Sequence, residues 1–132
     1  MDIKNRASAI IIKDGKLLLV KWKNHTHLWT PWWHMESDDV CGLECLKRKL
    51  KEEINADVTN FMFFKEYSNK SFYHDHLVRD RVYLVSIEWD LKGGDDMEIV
   101  WVSKNQFIDE VYPMIPVLKE EIIMDLIKKG IF

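Results

Sequence analysis

The spacing of apolar residues changes from segment to segment along this chain, and each period predicts an element. Residues 7–13 and 16–22 are short runs of Ala, Ile, Leu and Val separated by Asp14-Gly15, the dipeptide that tight hairpin turns favour. They predict two paired strands. A polar stretch, 24–27, leads into residues 28–36, where Pro31 interrupts any regular ladder, and Ser37, Asp38 and Asp39 then offer side chains that cap helices. From Asp39 the apolar positions Val40, Leu43, Leu46, Leu50 and Ile54 recur three and four apart, with Lys47, Lys49, Lys51 and Glu52 between them. That is the pattern of an amphipathic helix, ending near Asn55, a residue that tolerates a left-handed cap.

Residues 57–67 and 81–89 are rich in Val, Phe, Tyr and Ile and predict two more strands, with 68–80 as a polar excursion between them. Residues 92–96 form a turn, 97–102 a further strand, and Ser103 is placed to cap a short helical turn through Phe107. Pro113 and Pro116 interrupt the chain before a last helix that carries Leu118, Ile122 and Leu126 on one stripe and stops at Gly130. Strands, one central helix, more strands and one terminal helix predict an α/β fold, a mixed sheet between helices. No repeat or linker divides the chain, so residues 1–132 read as one domain.

Composition narrows the functions open to such a fold. Nineteen Lys and Arg against 22 Asp and Glu give a formal charge of −3, so no global positive field exists to hold a long nucleic acid. The first six residues lack the apolar stretch of a signal peptide, and the run 7–12 is far short of a membrane span. A cytoplasmic protein without membrane contact is expected. Cys41 and Cys45, four apart on the predicted helix, are expected to be reduced core thiols.

The carboxylates concentrate on one element. Glu36, Asp38 and Asp39 lie in the loop entering the helix, and Glu44, Glu52 and Glu53 lie on it. Hard cations such as Mg²⁺ favour carboxylate oxygens and can neutralise phosphate oxygens when held that way. The competing reading is an ordinary solvated helix whose acids favour its macrodipole.

Trp29-Thr-Pro-Trp-Trp-His-Met-Glu36 followed by Glu44-Cys-Leu-Lys-Arg-Lys-Leu-Lys-Glu-Glu-Ile-Asn55 resembles the Nudix box. This is the loop-helix-loop in which Nudix hydrolases bind divalent metal and cleave a pyrophosphate linked to a nucleoside. A hairpin before the box, strands and a helix after it, and Trp101-Val-Ser103 also resemble the family, so the likeness covers nearly the whole chain. It implies a Nudix-like α/β/α sandwich. It also implies hydrolysis of a nucleoside diphosphate derivative, with Mg²⁺, or Mn²⁺ in its place, held weakly by Glu52, Glu53 and Glu36.

Three departures qualify that activity. Trp32 and Trp33 stand where the family has two glycines, and the loop to Arg48 is one residue longer. Lys49 stands where the family has a further Glu, so only Glu52 and Glu53 remain of three helical carboxylates. Positions 49 and 53 are neighbours across one helical turn, so Lys49 and Glu53 can pair without metal, as can Arg48 and Glu52. Impaired hydrolysis is one expectation. The other is a catalytically silent nucleotide-binding module in which Arg48 and Lys49 contact phosphate.

Of the six tryptophans, Trp22, Trp89 and Trp101 fall in predicted strands and read as core or sheet-face residues. Trp32, Trp33 and Tyr73 are candidates to stack a nucleobase, with Phe72 beside them. The pairs His25/His27 and His74/His76, with His34, have the residue type for zinc, but no Cys pair matches them and no zinc site is expected. Glu98, opening the strand beside the box, is a candidate general base or distal ligand, ahead of Asp95 and Asp96, which suit a solvated turn.

Overall fold

The computed structural model describes residues 3–35, 42–88 and 97–132. Its strands are β1 (Ile3–Ile10), β2 (Ile12–Lys13), β3 (Lys16–Trp22), β4 (Trp32–His34), β5 (Asp57–Lys70), β6 (Leu77–Glu88) and β7 (Met97–Ser103). Its helices are α1 (Gly42–Ile54), α2 (Lys104–Ile108) and a π-helical turn, Leu118–Ile122, that runs into α3 (Ile123–Lys128). A mixed four-stranded sheet has the order β4-β1-β6-β5, in which β1 runs parallel to β6 and antiparallel to β4. A second sheet, β2-β3-β7, is antiparallel.

The predicted hairpin forms only at its tip. Ile12 and Lys13 pair with Leu17 and Lys16 around Asp14 and Gly15, both at positive φ, whereas β1 leaves for the mixed sheet and β3 pairs with β7 instead. Sequence could not reveal this because a continuous apolar run is equally suited to either sheet. The excursion predicted for 68–80 is also shorter. β5 and β6 pair as far as Lys70 and Leu77, since the polar residues Ser68, Asn69, Arg79 and Asp80 still occupy ladder positions. β5 forms the outer edge of its sheet and carries register shifts between Val58 and Asn60 and between Phe63 and Lys65.

Both faces of the mixed sheet are covered. On one, Leu46, Leu50 and Ile54 of α1 are fully buried against Ala7, Ala9, Val85 and Trp33. Burying three such side chains contributes on the order of 6 kcal/mol. On the other, the terminal helix buries Leu118, Ile122, Ile123 and Leu126 against Ile10, Leu19, Tyr67 and Val82. The helix start predicted near Asp39, together with Val40 and Cys41, lies outside the described residues. The end is as expected: Asn55 takes φ 55, and its N–H donates to the Lys51 carbonyl. Ser103 caps α2 through a reciprocal pair with Gln106, and Gly130 at φ 71 closes α3.

Candidate functional site

Period-two alternation on β4 separates three adjacent side chains. Trp33 turns toward α1 and is 4% exposed in the core, while Trp32 and His34 turn to the opposite face. Lys4 and Arg6 of β1 and Val78 of β6 share that second face with Trp32. The loop that carries His25 and His27 and the turn 71–76 between β5 and β6 rise over it, enclosing a cavity of about 290 Å³.

Aromatic contacts bind these two walls. His25 stacks on Tyr73 with centroids 4.0 Å apart, His27 packs on Phe72 at 4.8 Å, and the His27 N–H donates to the Tyr73 hydroxyl at 3.4 Å. Within the turn, the Ser71 N–H donates to the His76 carbonyl and the His74 N–H to the Ser71 hydroxyl, and the His74 and His76 rings stack at 5.6 Å. All five histidines of the chain line this one cavity.

Beneath it lies a buried polar group. The Arg6 guanidinium sits 4.0 Å over the Trp32 ring, and burial lowers its pKa. Behind Arg6, Asp80 is 1% exposed, with the Ser8 hydroxyl 2.8 and 2.9 Å from its two oxygens. Desolvation pushes the Asp80 carboxyl up to about 7 against the opposing effects of Ser8 and Arg6. Further along the same face, the Tyr67 hydroxyl donates to Asp125 at 2.6 Å, which the Lys65 ammonium also reaches at 2.9 Å.

The helix carboxylates form a separate group. No residue of α1 lines the cavity among the described residues. Arg48 Nε and Lys49 Nζ both stand 4.0 Å from Glu52, so Lys49 pairs with Glu52 rather than with Glu53 as expected. Partial burial raises the Glu53 pKa, Lys49 opposing and Glu52 reinforcing the shift. The two glutamates offer oxygen donors of the kind that Mg²⁺ or Mn²⁺ takes. They are few, and two cations compete for one of them. Glu36 lies outside the described residues, and among the described residues no three His, Cys, Asp or Glu come together as a metal-binding group.

Glu98 does not join them. It pairs in register with Lys21, 3.6 Å away, in the three-stranded sheet. Its neighbours Met97 and Ile99 pack in the cluster of α1, so Glu98 points away from that helix, to the side of Val100 and Val102. Asp95, Asp96 and Trp89 lie outside the described residues. Of the predicted site residues, Trp32 and Tyr73 share the cavity, Arg48, Lys49, Glu52 and Glu53 share α1, and Trp33 is core. Sequence reasoning missed Lys4, Arg6 and Asp80. Their signal was alternation: Lys4 and Arg6 lead a strand on one face, and Asp80 sits inward between Val78 and Val82.

These layers and this order of elements define the fold of the Nudix hydrolases. The chain matches the MutT structure described for Aliivibrio salmonicida and Vibrio cholerae with a TM-score of 0.76 at 16% identity, over 97% of this chain and 99% of that one. It is similar also to the Escherichia coli ORF135 protein, with a TM-score of 0.73 at 21% identity over 96% and 91% of the two chains. A NUDIX hydrolase from Nitrosomonas europaea gives 0.74 at 16% identity over 98% and 88%. No family profile and no curated protein sequence matches the chain. Among the described residues, no helix is long and apolar enough to cross a membrane.

Proposed function

We propose that the chain is a Nudix-type hydrolase of low turnover that cleaves the pyrophosphate bond of a nucleoside diphosphate derivative. The observation that carries this reading is the cavity, with aromatic rings and two basic side chains, Lys4 and Arg6, on one side of a Nudix-fold sheet. Trp32 and Tyr73 offer ring faces to a nucleobase, and Lys4 and Arg6 offer charge to phosphate. Glu52 and Glu53, with Glu36, are the residues that would hold Mg²⁺ or Mn²⁺. Such an ion, when bound, supplies Lewis acidity at the phosphoryl oxygens. Glu53, partly desolvated, is the better placed of the two helix acids to accept a proton, while Glu52 is held by Arg48 and Lys49. Low turnover follows from Lys49, whose ammonium stands where a further carboxylate would strengthen the ion's hold.

The same pairing supports a second reading. With Arg48 and Lys49 both drawn to Glu52, α1 also suits a nucleotide-binding module without chemistry. A panel of nucleoside diphosphate derivatives, incubated with Mg²⁺ or Mn²⁺ and analysed for released phosphate products, tests the two. Metal-dependent release that Glu53→Gln abolishes supports the hydrolase. Saturable binding without release supports the module, and absence of both removes the nucleotide.

A further inference from the structure

The two rings of the cavity that offer a face to a base, Trp32 and Tyr73, each carry a planar group of this chain already. The Arg6 guanidinium lies 4.0 Å over Trp32. The His25 imidazole lies 4.0 Å over Tyr73, at an interplanar angle of 15°. The two covers are held differently. Arg6 belongs to a strand paired on both edges at that residue, with His34 of β4 and Asp80 of β6, so its backbone cannot leave Trp32 without breaking two ladders. His25 belongs to the loop between β3 and β4, where its own N–H donates to the Trp22 carbonyl at 2.9 Å and the Leu28 N–H donates to the Pro113 carbonyl at 2.8 Å. With those bonds intact, the imidazole leaves Tyr73 by rotation about its own side-chain bonds, and no ladder is broken.

We propose that Tyr73 is the stacking platform of the cavity and that His25 is its internal occupant, an imidazole that holds the face a nucleobase takes and swings off it as the base arrives. This rests on the reading of the cavity as the ligand site and adds which ring receives the base and which side chain competes with it. Trp32 then serves as the seat of Arg6.

The geometry is that of a base on an aromatic ring. An imidazole is a flat nitrogen heterocycle, equivalent to the smaller ring of a purine, and its stack on Tyr73 shows that such a ring fits flat on that face. The platform is braced. Phe72 meets Tyr73 edge-on at 4.9 Å and 89°, while the Ser71 N–H to His76 carbonyl bond of 2.9 Å and the His74 N–H to Ser71 hydroxyl bond of 3.2 Å close the turn that carries them. The occupant is held more lightly. Beside the stack, its loop reaches the turn through the His27 ring, tilted 50° on Phe72 at 4.8 Å, and through the bond from the His27 N–H to the Tyr73 hydroxyl, which at 3.4 Å is longer than the usual range. An aromatic pair weights an equilibrium by about two- to tenfold, and a base stacked on an aromatic side chain by about five- to hundredfold. Exchange of imidazole for base is therefore favourable, and His25 lowers the apparent affinity by the factor that its own stack contributes.

The test titrates the 5′-monophosphates of adenosine, guanosine, cytidine and uridine calorimetrically into the full chain with EDTA present. At about pH 8 the His25 ring, whose pKa is lowered by desolvation, is neutral, so its removal changes stacking and not charge. His25→Ala should bind the best of these nucleotides about three- to tenfold more tightly than wild type. His25→Ser should do the same, and a gain in affinity cannot come from a damaged fold. Tyr73→Leu should weaken binding about fivefold or more and, combined with His25→Ala, should erase the gain, because no ring face remains to compete for. Pyrophosphate, which has no base, should bind wild type and His25→Ala within about twofold of one another. Weaker binding by His25→Ala would mean that His25 clamps the base, and it overturns the proposal, as does a gain retained without the Tyr73 ring or an equal gain for pyrophosphate. Nucleotide binding that is indifferent to His25 removes the internal occupant and leaves the ligand site, whereas absence of nucleotide binding in wild type and His25→Ala alike removes both.

Discussion

Replacing Asp80 by Asn isolates the energetic effect of one buried charge. Asp80 titrates at about 7 in the folded chain because burial disfavours its ionised form, against about 4 in an unfolded one. A carboxyl whose folded pKa is raised contributes stability that is fully present below the unfolded value and lost as pH rises through the folded one. Stability from this group should therefore fall between about pH 4 and about pH 7 by up to about 4 kcal/mol. Asn keeps the shape and an acceptor for the Ser8 hydroxyl, but carries no charge at any pH. His25 and His34, whose folded pKa values are lowered chiefly by desolvation, contribute with the opposite sign, losing stability as pH falls through about 6.5. The Asp80 effect is accordingly read as the difference between Asp80→Asn and wild type. Urea unfolding followed by tryptophan fluorescence at about pH 5 and about pH 8 should give near-equal stabilities at the lower pH. At the higher pH the variant should be more stable by at least about 1 kcal/mol, the portion left after its amide loses solvation. A difference that does not change with pH, or one that grows on acidification, would refute the claim that Asp80 is a strained buried carboxyl.

The two adjacent tryptophans of β4 should separate cleanly. Trp33→Ala, which empties a core position, should cost about 3–5 kcal/mol in urea unfolding, while Trp32→Ala should change stability little and weaken ligand binding in fluorescence titrations. Lys49→Glu should bind Mg²⁺ more tightly than wild type in calorimetric titration, because it removes a repelling ammonium and adds a carboxylate beside Glu53; equal or weaker binding clears Lys49 of that role. Glu98→Gln should leave any nucleotide hydrolysis within about twofold of wild type, since its side chain points away from α1; a loss of about tenfold or more, the usual effect of removing a general base, would return Glu98 to the site.

Much of the architecture was legible because it depends on local rules. The stripe Leu46, Leu50 and Ile54, the left-handed cap at Asn55 and the Ser103 capping box each follow from residues within a few positions of one another. What escaped depends on long-range choices. The run 7–13 divides between two sheets after Ile10, a decision made by β6 and β4, which are remote in sequence or supply a different edge. The two tryptophans looked like one binding surface until the pleat of β4 sent them to opposite faces. The five histidines were grouped in the sequence only as a zinc set and set aside, because no spacing rule joins His25 to His74, whereas the topology brings them to one cavity. The site was therefore half legible: α1 announced its carboxylates through a motif, and the cavity, assembled from five separate segments, had none.

The offsets in the pairing of β5 bear on how this protein behaves when concentrated. Phe61, Met62, Phe63 and Phe64 form an apolar cluster on a sheet edge, with Met62 and Phe63 largely exposed. Such an edge is a template on which further chains could add strands and grow a fibre. Stable cross-β stacking draws on flat segments of about six or more residues, and the two bulges confine the regular ladder between them to residues 60–63. Lys65, directly beyond the second bulge, adds a charge that a stacked copy would have to bury. The irregularities of this strand thus guard the folded chain against self-assembly, at the position where its composition most invites it.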